Sequence, residues 1–469
     1  MRFMLSSSPS MNFPARCLLA VVSGLVYVLA FPPLDWGWLV IPGIAGLLLA
    51  LRGQTGSRAR AIGFLHGLAV YGAGVSWLYR IFGLPVVTLF FVLAVFCCLF
   101  AHFQSRAAAH GISGWKWAIF TAVNWGGLEF IRAEVFPLKF PWLTVGLAMG
   151  PNSLLPWIGV YGVGVLVVFG IVLVFTGKWK PAFAVFGLLA IANVHCRKLA
   201  EPDPGDPKSV RVAAIQQENT TIDDLLNASK ALPQEVEYVA WPEYAISYDL
   251  RSNERDWAAV QEFCRSRKVT LTLGTQARPG NGEIWRNIAL SLDETGELGA
   301  HTKVHPVHFF DDGVAGVASK PVKTKFGPVG TPICFDCDYQ DVIRGMTVAG
   351  AQWIVAPTMD AGSWTARQHE QHAELFRIRA CENGRWILVA ATSGVTQLID
   401  ANGKIHTRLP TMQQGSLVGS VKRESKLTFF SRIGWFLPWV VFAVAAAWWV
   451  IVLWKPKPCK PLKKLSLQK

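Results

Sequence analysis

The sequence predicts an integral membrane α-helical bundle of about eight spans with one large α/β domain inserted, and three observations carry that prediction. Of 469 residues, 52% are hydrophobic and only 16% charged, where an ordinary soluble domain holds about a quarter charged residues. Long apolar runs crowd the first 200 residues, and one more follows after residue 430. Between them, short β-branched runs alternate with polar helical stretches and Gly/Asn turns. This composition excludes a disordered chain and a small disulfide scaffold. Forty-five Lys and Arg against 31 Asp and Glu leave +14, which with this apolar fraction points to membrane contact and cytoplasmic loops rather than to nucleic acid.

A spanning helix needs about 20 mostly apolar residues. On that measure the spans are expected at Ala15–Phe31, Trp36–Leu51, Ile62–Phe82, Leu84–Phe103, Trp115–Ile131, Leu154–Thr176 and Pro181–Cys196, with an eighth at Ile433–Trp454. The organisation is then a bundle over residues 1–200, a domain over 208–426, a last helix over 433–454 and a basic tail over 455–469. Arg52, Arg58 and Arg60, then Arg106 and Lys116, then Lys178 and Lys180 fall in alternate loops, while the other loops are poorer in Lys and Arg. With the N-terminus inside, that bias puts the α/β domain on the outer side and the tail back in the cytoplasm. Arg197, Lys198, Lys422, Arg423, Lys426 and Arg432 run against the bias, but they flank a long domain, which is largely exempt from it. The first apolar stretch has no small-residue cleavage site before Phe31-Pro32-Pro33 and reads as an uncleaved span. Nine cysteines, an odd number spread over spans, domain and tail, do not make a disulfide framework.

Within the domain, Val210–Gln216 reads as a buried strand. Val236–Ala240 is a second, which stops at Trp241-Pro242-Glu243 because proline cannot continue a central ladder. Val269–Gly274 is a third, and Asn287–Leu292 with Gly299–Lys303 forms a hairpin. Gly330–Cys334 runs into Phe335-Asp336, Trp353–Pro357 leads to a long polar helix near Thr365–Asn383, and Trp386–Ala391 is followed by a hairpin through Asn402-Gly403. A layered α/β sandwich follows, in which ligands bind at strand ends. Three reactive side chains fall at such ends: Glu243, Lys303 and Cys334.

Trp241-Pro242-Glu243-Tyr244-Ala245, the lysine of His301-Thr302-Lys303, and Gly330-Thr331-Pro332-Ile333-Cys334-Phe335-Asp336 resemble the carbon–nitrogen hydrolase (nitrilase) superfamily, whose triad is Glu, Lys and Cys. The bundle sharpens the resemblance to the apolipoprotein N-acyltransferase family, through Phe31-Pro32-Pro33, Gly63-Phe64, Ser76-Trp77-Leu78, Phe140-Pro141-Trp142-Leu143 and Gly159-Val160-Tyr161-Gly162-Val163. Arg286-Asn287, Arg377, Asn383-Gly384-Arg385 and Ser393-Gly394-Val395-Thr396 also look like family pattern.

The resemblance implies a nitrilase-like αββα sandwich on the periplasmic side of a bacterial inner membrane. It implies Glu243 as base, Cys334 as nucleophile and Lys303 as oxyanion stabiliser. An acyl chain would pass from a phospholipid donor, through a thioester, to the amine of a diacylglyceryl-cysteine apolipoprotein, with no cofactor. Asp311, Asn287, Phe335 and Asp336 are candidate auxiliary residues, and Trp77, Trp142 and Tyr161 candidate borders of a lipid entry. The sequence departs from the family after the lysine, where His305, His308, Phe309, Phe310, Asp311 and Asp312 replace a Leu-Val-Pro-Phe-Gly-Glu stretch. It departs again where Phe335-Asp336 stands for Tyr-Glu and where Met359-Asp360-Ala361-Gly362-Ser363-Trp364 replaces an aromatic loop. Two rivals stay open: a membrane-tethered amidase that uses water as acceptor, and an inactive membrane scaffold.

Cys334 and Cys337 form a lone CxxC without a second ligand pair, so no metal is expected and Cys337 reads as a packed thiol. His369-Glu370-Gln371-His372 is not the HExxH pattern, and with His301, His305 and His308 it reads as polar helix and loop histidines. The basic tail reads as a topology signal, not a nucleic-acid site.

Overall fold

The computed structural model describes residues 11–203, 205–278, 284–317 and 320–454. The N-terminal part is helical: α1 (Phe13–Val28), α2 (Val40–Leu51), α3 (Gly56–Gly74), α4 (Leu78–Phe82), α5 (Val86–Ala109), α6 (Gly114–Phe130), α7 (Val145–Ala148), α8 (Leu155–Phe175) and α9 (Trp179–His195). Among the described residues, three helices are long and apolar enough to cross a membrane: α5, α8, and a C-terminal one over Gly434–Leu453. Each of the eight expected spans coincides with a helix, but the third is broken. At Gly74 the helix stops, Val75 leaves helical geometry with φ −123°, and α4 restarts at Leu78. The second span begins with a 3-10 turn, so its α-helix is only 12 residues long. The basic tail lies outside the described residues.

Large apolar side chains such as Leu18, Phe91, Phe183 and Val450 face outward from these helices, as expected where lipid replaces water as the solvent. α8 kinks at Gly159, whose φ of +64° suits glycine and whose absent Cβ leaves room for the Phe430 ring. The kink frees the Val160 N–H, which donates to Glu382 Oε1 at 2.8 Å.

The sandwich consists of two six-stranded sheets. One runs β12 (Gly415–Lys422), β1 (Ser209–Gln216), β2 (Tyr238–Ala240), β3 (Thr270–Ala277), β4 (Arg286–Asp293) and β5 (Gly296–Thr302). The other runs β11 (Ile405–Arg408), β10 (Gln397–Ile399), β9 (Ile387–Ala391), β8 (Trp353–Thr358), β7 (Gly327–Gly330) and β6 (Val322–Thr324). Each sheet has a parallel centre, β1/β2/β3 and β7/β8/β9, with antiparallel strands at its margins. Val212, Tyr238, Trp353, Val355 and Leu388 fill the space between the sheets. α10 (Ile222–Lys230) and α11 (Glu254–Arg267) cover one outer face. α12 (Asp341–Val348) and α13 (Ala366–Asn383) cover the other. The chain leaves the sandwich through α14 (Phe429–Arg432), and the last helix among the described residues is α15 (Leu437–Leu453).

α13 sits where the sequence pattern places it but is not a solvated helix. Its polar residues Gln368, His369, Gln371, His372, Arg379, Glu382 and Asn383 are all buried, because the helix lies between the sandwich and the bundle. The bundle presents carbonyls there, and the helix supplies donors: Gln371 Nε2 to Pro32 O and Gly74 O, and Arg367 Nη1 to Ala73 O. Buried backbone acceptors need such partners, which is why this face is polar.

Candidate active site

Glu243 lies three residues beyond β2, Lys303 directly follows β5, and Cys334 lies four residues beyond β7. The three strand ends meet at one mouth of the sandwich, and all three side chains are at most 2% exposed. Gly274 of β3 lets the chain at Glu243 come close, since a Cβ there would stand 2.4 Å from Glu243 Cα. Lys303 Nζ is 2.8 Å from Glu243 Oε1 and 2.8 Å from Asp312 Oδ2. Asn287 Nδ2 bridges the same two carboxylates, at 2.7 Å to Glu243 Oε1 and 2.8 Å to Asp312 Oδ1. Tyr244 OH also bonds Asp312, and the Val307 N–H donates to its other oxygen at 2.8 Å. Asp311, one residue earlier, is exposed and accepts from Trp285 Nε1 instead. The acid that meets the lysine is therefore Asp312 and not Asp311, because the register of the loop after β5 turns only the second of the two adjacent aspartates inward.

Cys334 sits at φ +49°, in the left-handed region that non-glycine residues seldom occupy. Asp336 holds this turn. Its Oδ2 accepts from the Ile333 N–H at 3.1 Å and pairs with His301 Nε2 at 2.9 Å, while Oδ1 accepts from the Val304 and His305 N–H groups at 2.9 and 2.8 Å. One buried carboxylate thus ties the turn of Cys334 to the chain leaving Lys303. The Met359 peptide closes the third side: its N–H donates to Glu243 Oε2 at 2.8 Å, and its carbonyl lies 3.7 Å from Cys334 Sγ.

Burial, and then the Glu243 carboxylate, push the Cys334 thiol well above the ordinary cysteine range. Burial raises Glu243 too, against the pull of Lys303. Burial disfavours the Lys303 cation, but Glu243, Cys334 and Asp312 outweigh it and hold the ammonium firmly charged. Asp312, despite burial, is held below the usual carboxylate range by Lys303 and its hydrogen bonds. The resting site is a neutral thiol beside an ion-paired Glu–Lys–Asp set, an arrangement that needs a base to take the thiol proton during attack.

A cavity of about 90 Å³ opens over these groups, lined by Glu243, Tyr244, Lys303, Cys334, Met359 and Trp364. Val307, Phe310 and Trp364 also line a second, strongly apolar cavity that reaches the bundle at Trp77, Phe82, Leu89, Phe140 and Trp142. Phe335 lies on its wall. Trp77 and Trp142, expected at a lipid entry, pack against each other there, ring centres 4.9 Å apart and tilted by 48°. Tyr161 does not reach it: its hydroxyl donates to Glu134 Oε1 at 2.7 Å and its ring packs on Phe130. Asp336 and Asn287, named as auxiliary candidates, have buried partners here, whereas Asp312, Tyr244 and Met359 occurred in quoted segments without being singled out as site residues. Cys337 is buried in an apolar cluster, and no group of three metal-ligating side chains occurs among the described residues. His372 lies on the expected polar helix, fully buried between two carboxylates.

The apolipoprotein N-acyltransferase N-terminal domain model matches residues 23–173, and the carbon–nitrogen hydrolase model matches residues 211–426. An apolipoprotein N-acyltransferase of Geobacter metallireducens is 26% identical over 92% of this chain and 94% of its own length. One of Pseudomonas aeruginosa is 27% identical over 93% and 94%. Among solved structures, a carbon–nitrogen hydrolase from Helicobacter pylori is 16% identical with a TM-score of 0.39, covering 45% of this chain and 89% of its own. An amidase from Nesterenkonia sp. is 18% identical with a TM-score of 0.40, covering 47% and 92%. With the helical part and the sandwich each matched in their proper order, and full-length relatives spanning both, the chain belongs to the apolipoprotein N-acyltransferase family.

Proposed function

We propose that this chain is a phospholipid-to-lipoprotein N-acyltransferase that works through a thioester on Cys334. The observation that carries the reading is the junction of two cavities, one holding Glu243, Lys303 and Cys334 and the other an apolar channel to the bundle, which share Val307, Phe310 and Trp364. An acyl chain lying along the apolar wall would bring its ester carbonyl to the thiol.

In the first half, Glu243 takes the Cys334 proton as sulfur attacks the ester carbonyl. An ammonium has three donors, and Glu243 and Asp312 occupy two on Lys303. The third serves the tetrahedral oxyanion. The ester C–O bond then breaks, Glu243 returns the proton to the departing lysophospholipid oxygen, and the acyl group stays on sulfur. In the second half, the free amine of a diacylglyceryl-cysteine attacks the thioester and gives its proton to Glu243. The C–S bond breaks, and the proton returns to the Cys334 thiolate. The reading includes eight membrane crossings over residues 1–200 and 433–454, a catalytic domain over 208–426 on the periplasmic side and a cytoplasmic tail over 455–469.

Intact-mass spectrometry of the purified protein with a defined phospholipid tests it, with Cys334→Ser in parallel. The expected result is an acyl-sized increment on the wild type alone, discharged by a diacylglyceryl-cysteine peptide. An adduct that decays equally fast without the peptide would identify a hydrolase that uses water. No adduct with any phospholipid would leave an inactive scaffold.

A further inference from the structure

We propose that His372 is a positioning residue: its ring fixes the Met359 peptide against Glu243 and Cys334 and ties that peptide to the Trp142 wall of the apolar cavity, so that thiol and acyl chain are aligned as one unit. The inference rests on the acyl-transfer reading above and extends it to a residue outside the triad.

His372 is fully buried on α13. Its Nδ1 lies 2.9 and 3.1 Å from the two oxygens of Asp360, and its Nε2 lies 3.2 Å from Asp338 Oδ1. Asp360 bonds Nδ1 directly and Asp338 stands within ion-pair distance of Nε2 but outside hydrogen-bond geometry, so both carboxylates favour the charged ring. Burial works against that charge, but Asp360 and Asp338 outweigh it and push the ring up to about 10.

On one side the chain of contacts leads to the thiol. Asp360 is further clamped by Gln368 Nε2 at 2.8 Å, its N–H donates to Thr392 Oγ1 at 3.1 Å, and its carbonyl accepts from the same hydroxyl at 3.0 Å. The residue before it is Met359, whose N–H sits on Glu243 and whose carbonyl faces Cys334 Sγ. On the other side it leads to the bundle. Asp338 Oδ2 accepts from Trp142 Nε1 at 2.8 Å, and the Trp142 ring lies nearly parallel to His372, 5.8 Å away at 18°. Trp142 packs at a tilt against Trp77, whose Nε1 returns to Gln371, the neighbour of His372, at 2.9 Å.

A histidine kept only for packing would not need this arrangement. One cation buried with two anions is costly to desolvate, and an apolar side chain would fill the space at less cost. Among the described residues, the charged groups facing the ring are Asp338 and Asp360. Arg379 of the same helix reaches the carbonyl of Asp338, and His369 bonds the carbonyl of Ala361.

The test compares full-length wild type, His372→Gln and His372→Gln/Asp360→Asn in phospholipid-containing micelles. Carboxymethylation of Cys334 by iodoacetate is followed against pH on the Cys334 peptide, beside acyl-enzyme formation from phospholipid. In His372→Gln the carboxylates lose their cation, so the alkylation profile moves to higher pH. Acyl-enzyme formation falls about tenfold to a hundredfold at saturating phospholipid, with the KM for phospholipid within about threefold of wild type. The double variant restores the net charge but not the anchor, so the profile moves back while acyl loading stays low. It carries the same comparison if the single variant does not fold. A folded His372→Gln with wild-type profile and loading, or a double variant that regains wild-type loading, overturns the proposal. Should alkylation depend on His372 while no phospholipid acylates the wild type, the positioning role stands and the acyl-transfer reading falls.

Discussion

Two adjacent aspartates follow Lys303, and only the three-dimensional register tells them apart. Asp312 is 4% exposed and shares Lys303 with Glu243, while Asp311 faces solvent. Removing one partner from a buried ion-paired set leaves uncompensated charge, so Asp312→Ala is expected to cost about 3 kcal/mol or more of stability. Asp311→Ala is expected to stay within about 0.5 kcal/mol. Chemical unfolding of the two variants in one detergent checks the difference, and equal losses would return the role to Asp311. Glu243, Lys303 and Cys334 stood out in the sequence because each was expected at a strand end and the motifs around them resemble a known family. Asp312 did not, since a loop without periodicity gives no way to choose between neighbours. His372 was hidden for another reason: its partners, Asp338 and Asp360, are 34 and 12 residues away in sequence and meet it only through the fold. Its ring is raised to about 10 in the folded protein from an ordinary value near 6.5. The stability it contributes is therefore full below about pH 6.5 and is lost as the pH rises through about 10. Wild type should lose more thermal stability than His372→Gln across that interval, and parallel curves would contradict the assignment.

Elements were easier to read than their surroundings. Hairpins and strand ends came out within a few residues, because proline and glycine punctuate them; the Trp241-Pro242 stop after β2 is the clearest case. The break between α3 and α4 was not visible, since apolar residues continue through it and hydropathy does not register a backbone kink. α13 shows the converse limit. Its polar pattern marks a helix correctly but does not say what the polar face meets, and its partners are the carbonyls of turns in the bundle. The kink in α8 answers it from the other side, by turning the Val160 N–H toward Glu382. Gly159→Ala would place a Cβ 2.5 Å from the Phe430 ring in a left-handed backbone. The expected cost is roughly 2–4 kcal/mol, from the disfavoured φ together with overpacking. A lowered thermal midpoint in detergent checks it, and an unchanged midpoint would mean that α8 straightens without loss.

At the scale of the whole molecule, the bundle and the sandwich are joined by buried polar contacts rather than by a flexible hinge. Trp142 to Asp338, Trp77 to Gln371 and Val160 to Glu382 each run from a bundle residue to a residue of the domain. A domain fixed in this way must stay on one side of the membrane, at the end of the bundle where α4 and the segment around Trp142 lie. The arginines at 52, 58 and 60 lie at the opposite ends of α2 and α3, and in the proposed reading the preference of Lys and Arg for the cytoplasmic side is what puts the domain outside. Thr55 and Gln234 are exposed, one in the arginine-bearing loop and the other on the domain. In a background whose native cysteines show no labelling, Gln234→Cys should react with a membrane-impermeant maleimide in intact spheroplasts, and Thr55→Cys only after permeabilisation. The reverse pattern would invert the topology, and with it the reading that the thiol meets its lipid and lipoprotein substrates at the outer leaflet. Labelling of both positions in sealed cells would be incompatible with the Thr55 loop and the domain on opposite sides of one bilayer.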